Sequence, residues 1–139
     1  MELRPVSPGC WPAIVAAARG CVGTRFRPQG RVPQLGLDCI GVVLVAAAAA
    51  GIDGAAPAYR LGGDHPDIAA ALVGHGCFRV EAALPGDVIV IAPAARQRHL
   101  GVVTEAGLVH AHAGLDRVVE GPIDPDWTLI GAWRLPGAR

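Results

Sequence analysis

The sequence predicts an α+β domain on three observations. Helix-like segments occupy the first half, β-branched and aliphatic runs fill the second, and a long apolar run with capping residues at both ends lies between them. Trp11 to Gly20 is rich in alanine, with Pro12 suited to a first helical turn and Gly20 to a helix end, so it reads as a short helix. Cys21 to Leu37 mixes glycines and prolines with Arg25, Arg27 and Arg31 and shows no sustained period, which marks an ordered loop and not an element. Asp38 is a suitable N-cap and Gly51 a suitable stop for the next helix, which is apolar nearly all round and is expected in the core. A peripheral third helix is expected from Pro66 to about His75, capped by Asp64 and stopped by Gly76, with His65 and His75 exposed at its ends. After Cys77 the pattern becomes strand-like at Phe78–Val80, Val88–Ala92, Leu100–Thr104, Leu108–His112, Val118–Glu120 and Leu129–Leu135. Short turns between these runs imply antiparallel pairing, giving a sheet or half-barrel packed on the Asp38 to Gly51 helix.

Bulk properties narrow the function classes. The 139 residues, 52% hydrophobic and 17% charged, fit one domain spanning 1–139 with a single core. Lys plus Arg and Asp plus Glu both number 12, so no basic stripe offers itself to nucleic acid. The apolar run from Ile40 to Gly51 is too short for a membrane span, which needs roughly 20 residues. The N-terminus, with Glu2 ahead of Arg4 and prolines at 5, 8 and 12, does not read as a signal peptide, so synthesis in the cytoplasm without an export signal is expected. Cys10, Cys21, Cys39 and Cys77 stand at irregular spacings without a Cys-x-x-Cys pair, so free thiols are expected, with a Cys10–Cys21 bridge as the alternative.

The residues that suggest chemistry begin at Gly36-Leu37-Asp38-Cys39-Ile40-Gly41, which sets a cysteine in the first turn of a buried helix. A helix start and a neighbouring imidazolium both favour the thiolate, and the amides exposed there can receive an oxyanion. A thiol nucleophile needs a base. His99 opens a predicted strand and His110 lies in the next, joined through the Glu105-Ala106-Gly107 turn, so His110 can hold the far ring nitrogen of His99 in a Cys-His-His arrangement. His112 shares a face with His110 and is a pocket-lining residue, an incidental histidine, or a rival for the third role.

These residues resemble the NlpC-type cell-wall cysteine peptidases, a papain-like family. The likeness rests on Gly23-Thr24-Arg25-Phe26, Leu37-Asp38-Cys39-Ile40-Gly41-Val42, Leu84-Pro85-Gly86-Asp87-Val88-Ile89 and His99-Leu100-Gly101-Val102 with Leu108-Val109-His110-Ala111, and it runs from about Ala16 to Leu135. Ile40 after the cysteine and the ending Ile130 to Pro136 are closer to the subgroup encoded with phage tails and gene transfer agents. The resemblance implies hydrolysis of the bond between D-glutamate and the diamino acid of the peptidoglycan stem peptide, through an acyl-enzyme and with no cofactor. It also implies a peptidase that reaches the wall on a phage-tail-like particle. The candidate catalytic residues are Cys39, His99 and His110; the candidate substrate-binding residues are Asp38, Phe26, Arg27 and His112. Phe26 departs from the tyrosine often found at its position and lacks the hydroxyl thought to help hold substrate there. Arg25, Arg27 and Arg31 are either solvated or include a partner for a stem-peptide carboxylate.

Other readings of the same residues are a zinc site built from Cys39, His99, His110 and His112, a structural tail component without activity, and another acyl-transfer chemistry such as an amidase. Trp11, Trp127 and Trp133 read as core or sheet-edge packing.

Overall fold

Residues 9–52 and 68–139 are described by the computed structural model. Helix α1 (Trp11–Arg19) carries Pro12 near its start, and Ile14, Val15 and Ala18 form its buried stripe. Helix α2 (Cys39–Ala48) is capped by Asp38, whose side chain accepts from the Gly41 N–H, and is buried over most of its surface. Its regular hydrogen bonding stops before Gly51, but Gly51 is its terminator. Gly51 has φ 77°, its N–H donates to the Ala48 carbonyl, and the Ile52 N–H reaches back to Ala47, both at 3.0 to 3.1 Å. The same pattern closes α3 (Ile68–Gly74), where Gly76 has φ 87° and the Cys77 N–H donates to the Leu72 carbonyl. The expected start of α3 at Pro66, with Asp64 and His65, lies outside the described residues.

One correction concerns the segment between α1 and α2, read from the sequence as loop without elements. It contains a two-stranded ladder, β1 (Arg31–Val32) and β2 (Gly36–Leu37), paired antiparallel. Strands of two residues carry no period to detect, and this ladder is held from outside. Leu37 N–H donates to the Arg25 carbonyl at 2.9 Å, and Phe26 N–H donates to the Asp116 carbonyl at 3.0 Å.

The remaining strands form a six-stranded antiparallel sheet in the order β3 (Phe78–Val80), β8 (Thr128–Arg134), β4 (Val88–Ala92), β5 (His99–Thr104), β6 (Gly107–His112), β7 (Arg117–Gly121). Central strand β4 reads as an unbroken apolar run because both of its faces are covered. Val88 and Val90 join the core under α1 and α2, while Ile89 and Ile91 join a second cluster with Val103, Leu108 and Ala132 on the opposite face. The β5–β6 hairpin turns through Glu105 and Ala106, with Thr104 paired to Gly107 at φ 127°. Among the described residues no helix is long and apolar enough to cross a membrane, and all four cysteines are free thiols.

Helix α2 packs across β5, β6 and the β1–β2 ladder, which brings its first residue to the end of the sheet where β5 begins.

Candidate active site

The segment leading into Cys39 is held by one buried carboxylate. Asp38 is 1% exposed; its Oδ1 accepts from the Gly41 N–H at 2.8 Å and from Arg31 Nη1 at 2.7 Å, while Oδ2 accepts from the Gln29 N–H at 2.8 Å. Asp38, expected to contact substrate, therefore ties the loop to the start of α2 in this structure. Close packing of two glycines completes the junction, since a Cβ on Gly41 would stand 2.1 Å from the Gly30 carbonyl oxygen.

Four N–H groups at a helix start lack helical partners. Here Asp38 takes the third through its side chain, and its carbonyl accepts from the Val42 N–H at 3.0 Å. The Cys39 and Ile40 amides, together with the Leu100 amide of β5, act on the Cys39 sulfur and favour its anion. Burial outweighs them and, with the charge of Asp38 adding to it, pushes the thiol up to about 11. A helix start contributes about 0.3–1 kcal/mol, whereas a rise from the ordinary thiol value near 8.5 to about 11 corresponds to roughly 3 kcal/mol. The sequence-based expectation that the helix start lowers the thiol is thus reversed in the free protein. Cys39 as a residue is partly exposed, while its thiol sits in dry surroundings.

The histidines come together on β5 and β6. His99 Nε2 and His110 Nδ1 are 2.7 Å apart, with ring centroids 4.9 Å apart and nearly perpendicular. The pair is diagonal. Val102 pairs with Val109, and continuing that register sets residue 99 opposite 112, two places along the same face from His110. His112 stays close, its ring centroid 5.8 Å from that of His110, and its Nδ1 accepts from the Leu115 N–H at 3.0 Å. Burial first, then the neighbouring His110 and His112, pull His99 down to about 4; burial and then His112 pull His110 to about 4. At neutral pH both imidazoles and the thiol are uncharged.

Tautomers follow from the hydrogen bond. With His99 protonated on Nε2 and donating to His110 Nδ1, Nδ1 of His99 carries a lone pair and is the basic nitrogen. Among the described residues the thiol forms no hydrogen bond to either ring. The two facing nitrogens leave no space for a metal between them, and no group of three or more His, Cys, Asp or Glu among the described residues could hold a metal ion.

The other sequence candidates lie apart from this pair. Phe26 is partly buried and packs on the core under the helices. Arg27 is exposed; its N–H donates to the Leu37 carbonyl and its carbonyl accepts from the Gly30 N–H. Sequence reasoning missed Trp127, whose ring lies 6.1 Å from His99 and 5.6 Å from His110, edge to face with both. Pairing explains its position: Ile91 is opposite both His99 and Leu129, and Trp127 lies two residues before Leu129.

With the fold and this geometry established, comparison with solved structures shows a likeness. The fold is shared with an NlpC protein. NlpC2 from Trichomonas vaginalis matches with a TM-score of 0.70 and 17% identity over 96% of this chain and 49% of that one. This chain thus spans about half the length of that structure. No family model and no curated protein sequence matches.

Proposed function

We propose that the chain is a cysteine peptidase of the bacterial cell wall, with Cys39 as nucleophile, His99 as general base and His110 as the residue that orients His99. One observation carries the proposal: the 2.7 Å bond between His99 and His110, at the start of the strand whose Leu100 amide meets the Cys39 sulfur.

In this reading the reaction starts from an uncharged pair. The thiol proton passes to Nδ1 of His99 as sulfur bonds to the attacked carbonyl carbon, and the imidazolium is held through its Nε2–H by His110. The Cys39 and Ile40 amides receive the oxyanion, an interaction typically worth about 3 kcal/mol per donor. Collapse breaks the C–N bond, with His99 returning its proton to the leaving amine and leaving a thioester on Cys39. His99 then takes a proton from water, which attacks the thioester and releases the carboxylate product and the thiol.

The finer reading is a papain-like endopeptidase that cuts the stem peptide between D-glutamate and the diamino acid and reaches the wall on a phage-tail-like particle. The motifs around Cys39 and His99, and Ile40 after the nucleophile, support it. Purified peptidoglycan incubated with the protein, with Cys39→Ala and with His99→Ala, followed by mass spectrometry of the released peptides, tests both levels. New termini at the D-glutamate position from the parent alone are expected. Equal digestion by Cys39→Ala removes the nucleophile assignment, and loss of an acyl or amide group without chain cleavage points to an amidase or acyltransferase.

A second reading, a structural component with little activity, is favoured by the raised thiol and by the missing bond between sulfur and imidazole. Wall digestion separates the two: peptide release by the parent that is lost in Cys39→Ala supports catalysis, and no release by either protein supports the structural role.

A further inference from the structure

The register of the sheet carries a basic row away from the histidines. His112 pairs with Arg117 across β6 and β7, and Arg117 pairs with Arg25 in an isolated antiparallel bridge. Directly opposed residues of antiparallel pairs share a face, so His112, Arg117 and Arg25 stand side by side on the face that also carries His110. The row returns toward the nucleophile, because the Arg25 carbonyl accepts from the N–H of Leu37, two residues before Cys39.

Two like charges set directly opposite one another repel, and among the described residues no carboxylate is paired with either. Both arginines are exposed, and among the described residues neither forms an ion pair, although Arg19, Arg31 and Arg134 all hold carboxylates. The exposed acid beside them, Asp116, pairs with neither. The Arg117 side chain donates through Nε to the Leu115 carbonyl at 3.4 Å. Exposed arginines on directly opposed residues can converge on one carboxylate.

We infer that Arg25 and Arg117 form a carboxylate-binding subsite that takes an acidic group of the peptide substrate. The identity of that ligand rests on the peptidase reading; the anion site itself does not. Strands stand about 4.8 Å apart, which sets Arg117 and Arg25 roughly 10 and 14 Å from β5. An extended peptide advances about 3.5 Å per residue, so a carboxylate two to four residues from the attacked carbonyl reaches the pair.

Two measurements test the inference. Glutarate is titrated into the protein while the Nε–Hε NMR signals of its arginines are followed. Saturable shifts at Arg25 and Arg117, lost in the Arg25→Gln/Arg117→Gln double variant, are expected; no saturable shift at either overturns the subsite. Calorimetry on the Cys39→Ala protein then compares a stem tetrapeptide bearing free carboxylates with its fully amidated form. The acid is expected to bind about tenfold tighter, with the preference lost in the double variant; equal binding of acid and amide overturns the ligand assignment. Saturable glutarate shifts with no binding of either peptide uphold the anion site and count against the peptidase reading instead.

Discussion

Removing the carboxylate of Asp38 should cost the protein a large part of its stability. Asp38→Ala deletes the acceptor for three donors: the Gly41 N–H at the start of α2, the Gln29 N–H, and Arg31 Nη1. Loss of the cap costs about 1 kcal/mol, and stranding a part-buried backbone amide at Gln29 costs about 1–2 kcal/mol. The ion pair adds about 1 kcal/mol once discounted for solvent, because the Arg31 side chain is 29% exposed and rehydrates when released. The total is about 3–4 kcal/mol, and at roughly 1.5–2 kcal/mol/M the urea midpoint should fall by about 2 M. Asp38→Asn keeps an oxygen for Gly41 and should lose about half as much. Circular dichroism in urea measures both, and a midpoint for Asp38→Ala within about 0.3 M of the parent would refute the reasoning. A second readout is independent of stability: the charge of Asp38 raises the Cys39 thiol, so Asp38→Asn should be alkylated faster than the parent at a fixed pH.

Further outcomes follow from the same geometry. His99→Ala should reduce wall digestion by about 10²–10⁴-fold, while His110→Gln, which retains a hydrogen-bonding partner for His99, should lose far less; rates of peptide release decide this. Both imidazoles lie near 4 in the fold against an ordinary 6.5, so the unfolded chain binds protons first as pH falls. Stability present above pH 6.5 should then drop between 6.5 and about 4, by about 3 kcal/mol for buried His110 alone, and His110→Gln should roughly halve the fall of urea midpoints across that window, His99 retaining its share. With the Cys39 thiol at about 11, its alkylation by iodoacetamide should rise about tenfold per pH unit from 7 to 10, whereas a flat profile would reveal a preformed thiolate–imidazolium pair. Gly41→Ala drives a Cβ against the Gly30 carbonyl, a backbone atom that cannot step aside, and should destabilise by about 2–3 kcal/mol in the same urea assay.

Much of the fold is legible where local chemistry sets it. Phe78–Val80 and Val88–Ala92 are strands over the same residues that the sequence marks, the second because Pro85-Gly86-Asp87 and Pro93 bound it on both sides. Gly51 and Gly76 terminate helices through positive φ, a conformation that glycine adopts without penalty. The β1–β2 ladder was invisible because strands of two residues show no period; Arg31, Val32, Gly36 and Leu37 pair with one another, and Leu37 is held from outside by the Arg25 carbonyl. Its anchor at Phe26 depends on the carbonyl of Asp116, ninety positions away.

The candidate site divides along the same line. A cysteine behind an N-capping aspartate can be read directly, since Asp38 and Gly41 lie within one turn of each other. The influence of burial on that thiol cannot be read, because it depends on what β5 places over the helix start. The histidine pair was nominated by the sequence, since a short turn joins the strands of His99 and His110, but its diagonal register was not. Counting along the hairpin turn relates residue 99 to residue 112, yet His99 bonds to His110. Ring size and the reach of a diagonal neighbour decide the outcome, with Trp127 standing edge-on to both rings. Arg117 joins Arg25 by the same long-range pairing. A spacing motif can therefore nominate the nucleophile and the base. The hairpin nominates His110 beside them, whereas the arginines proposed to meet the substrate come together only when Arg25 and Arg117, far apart in the chain, come into register.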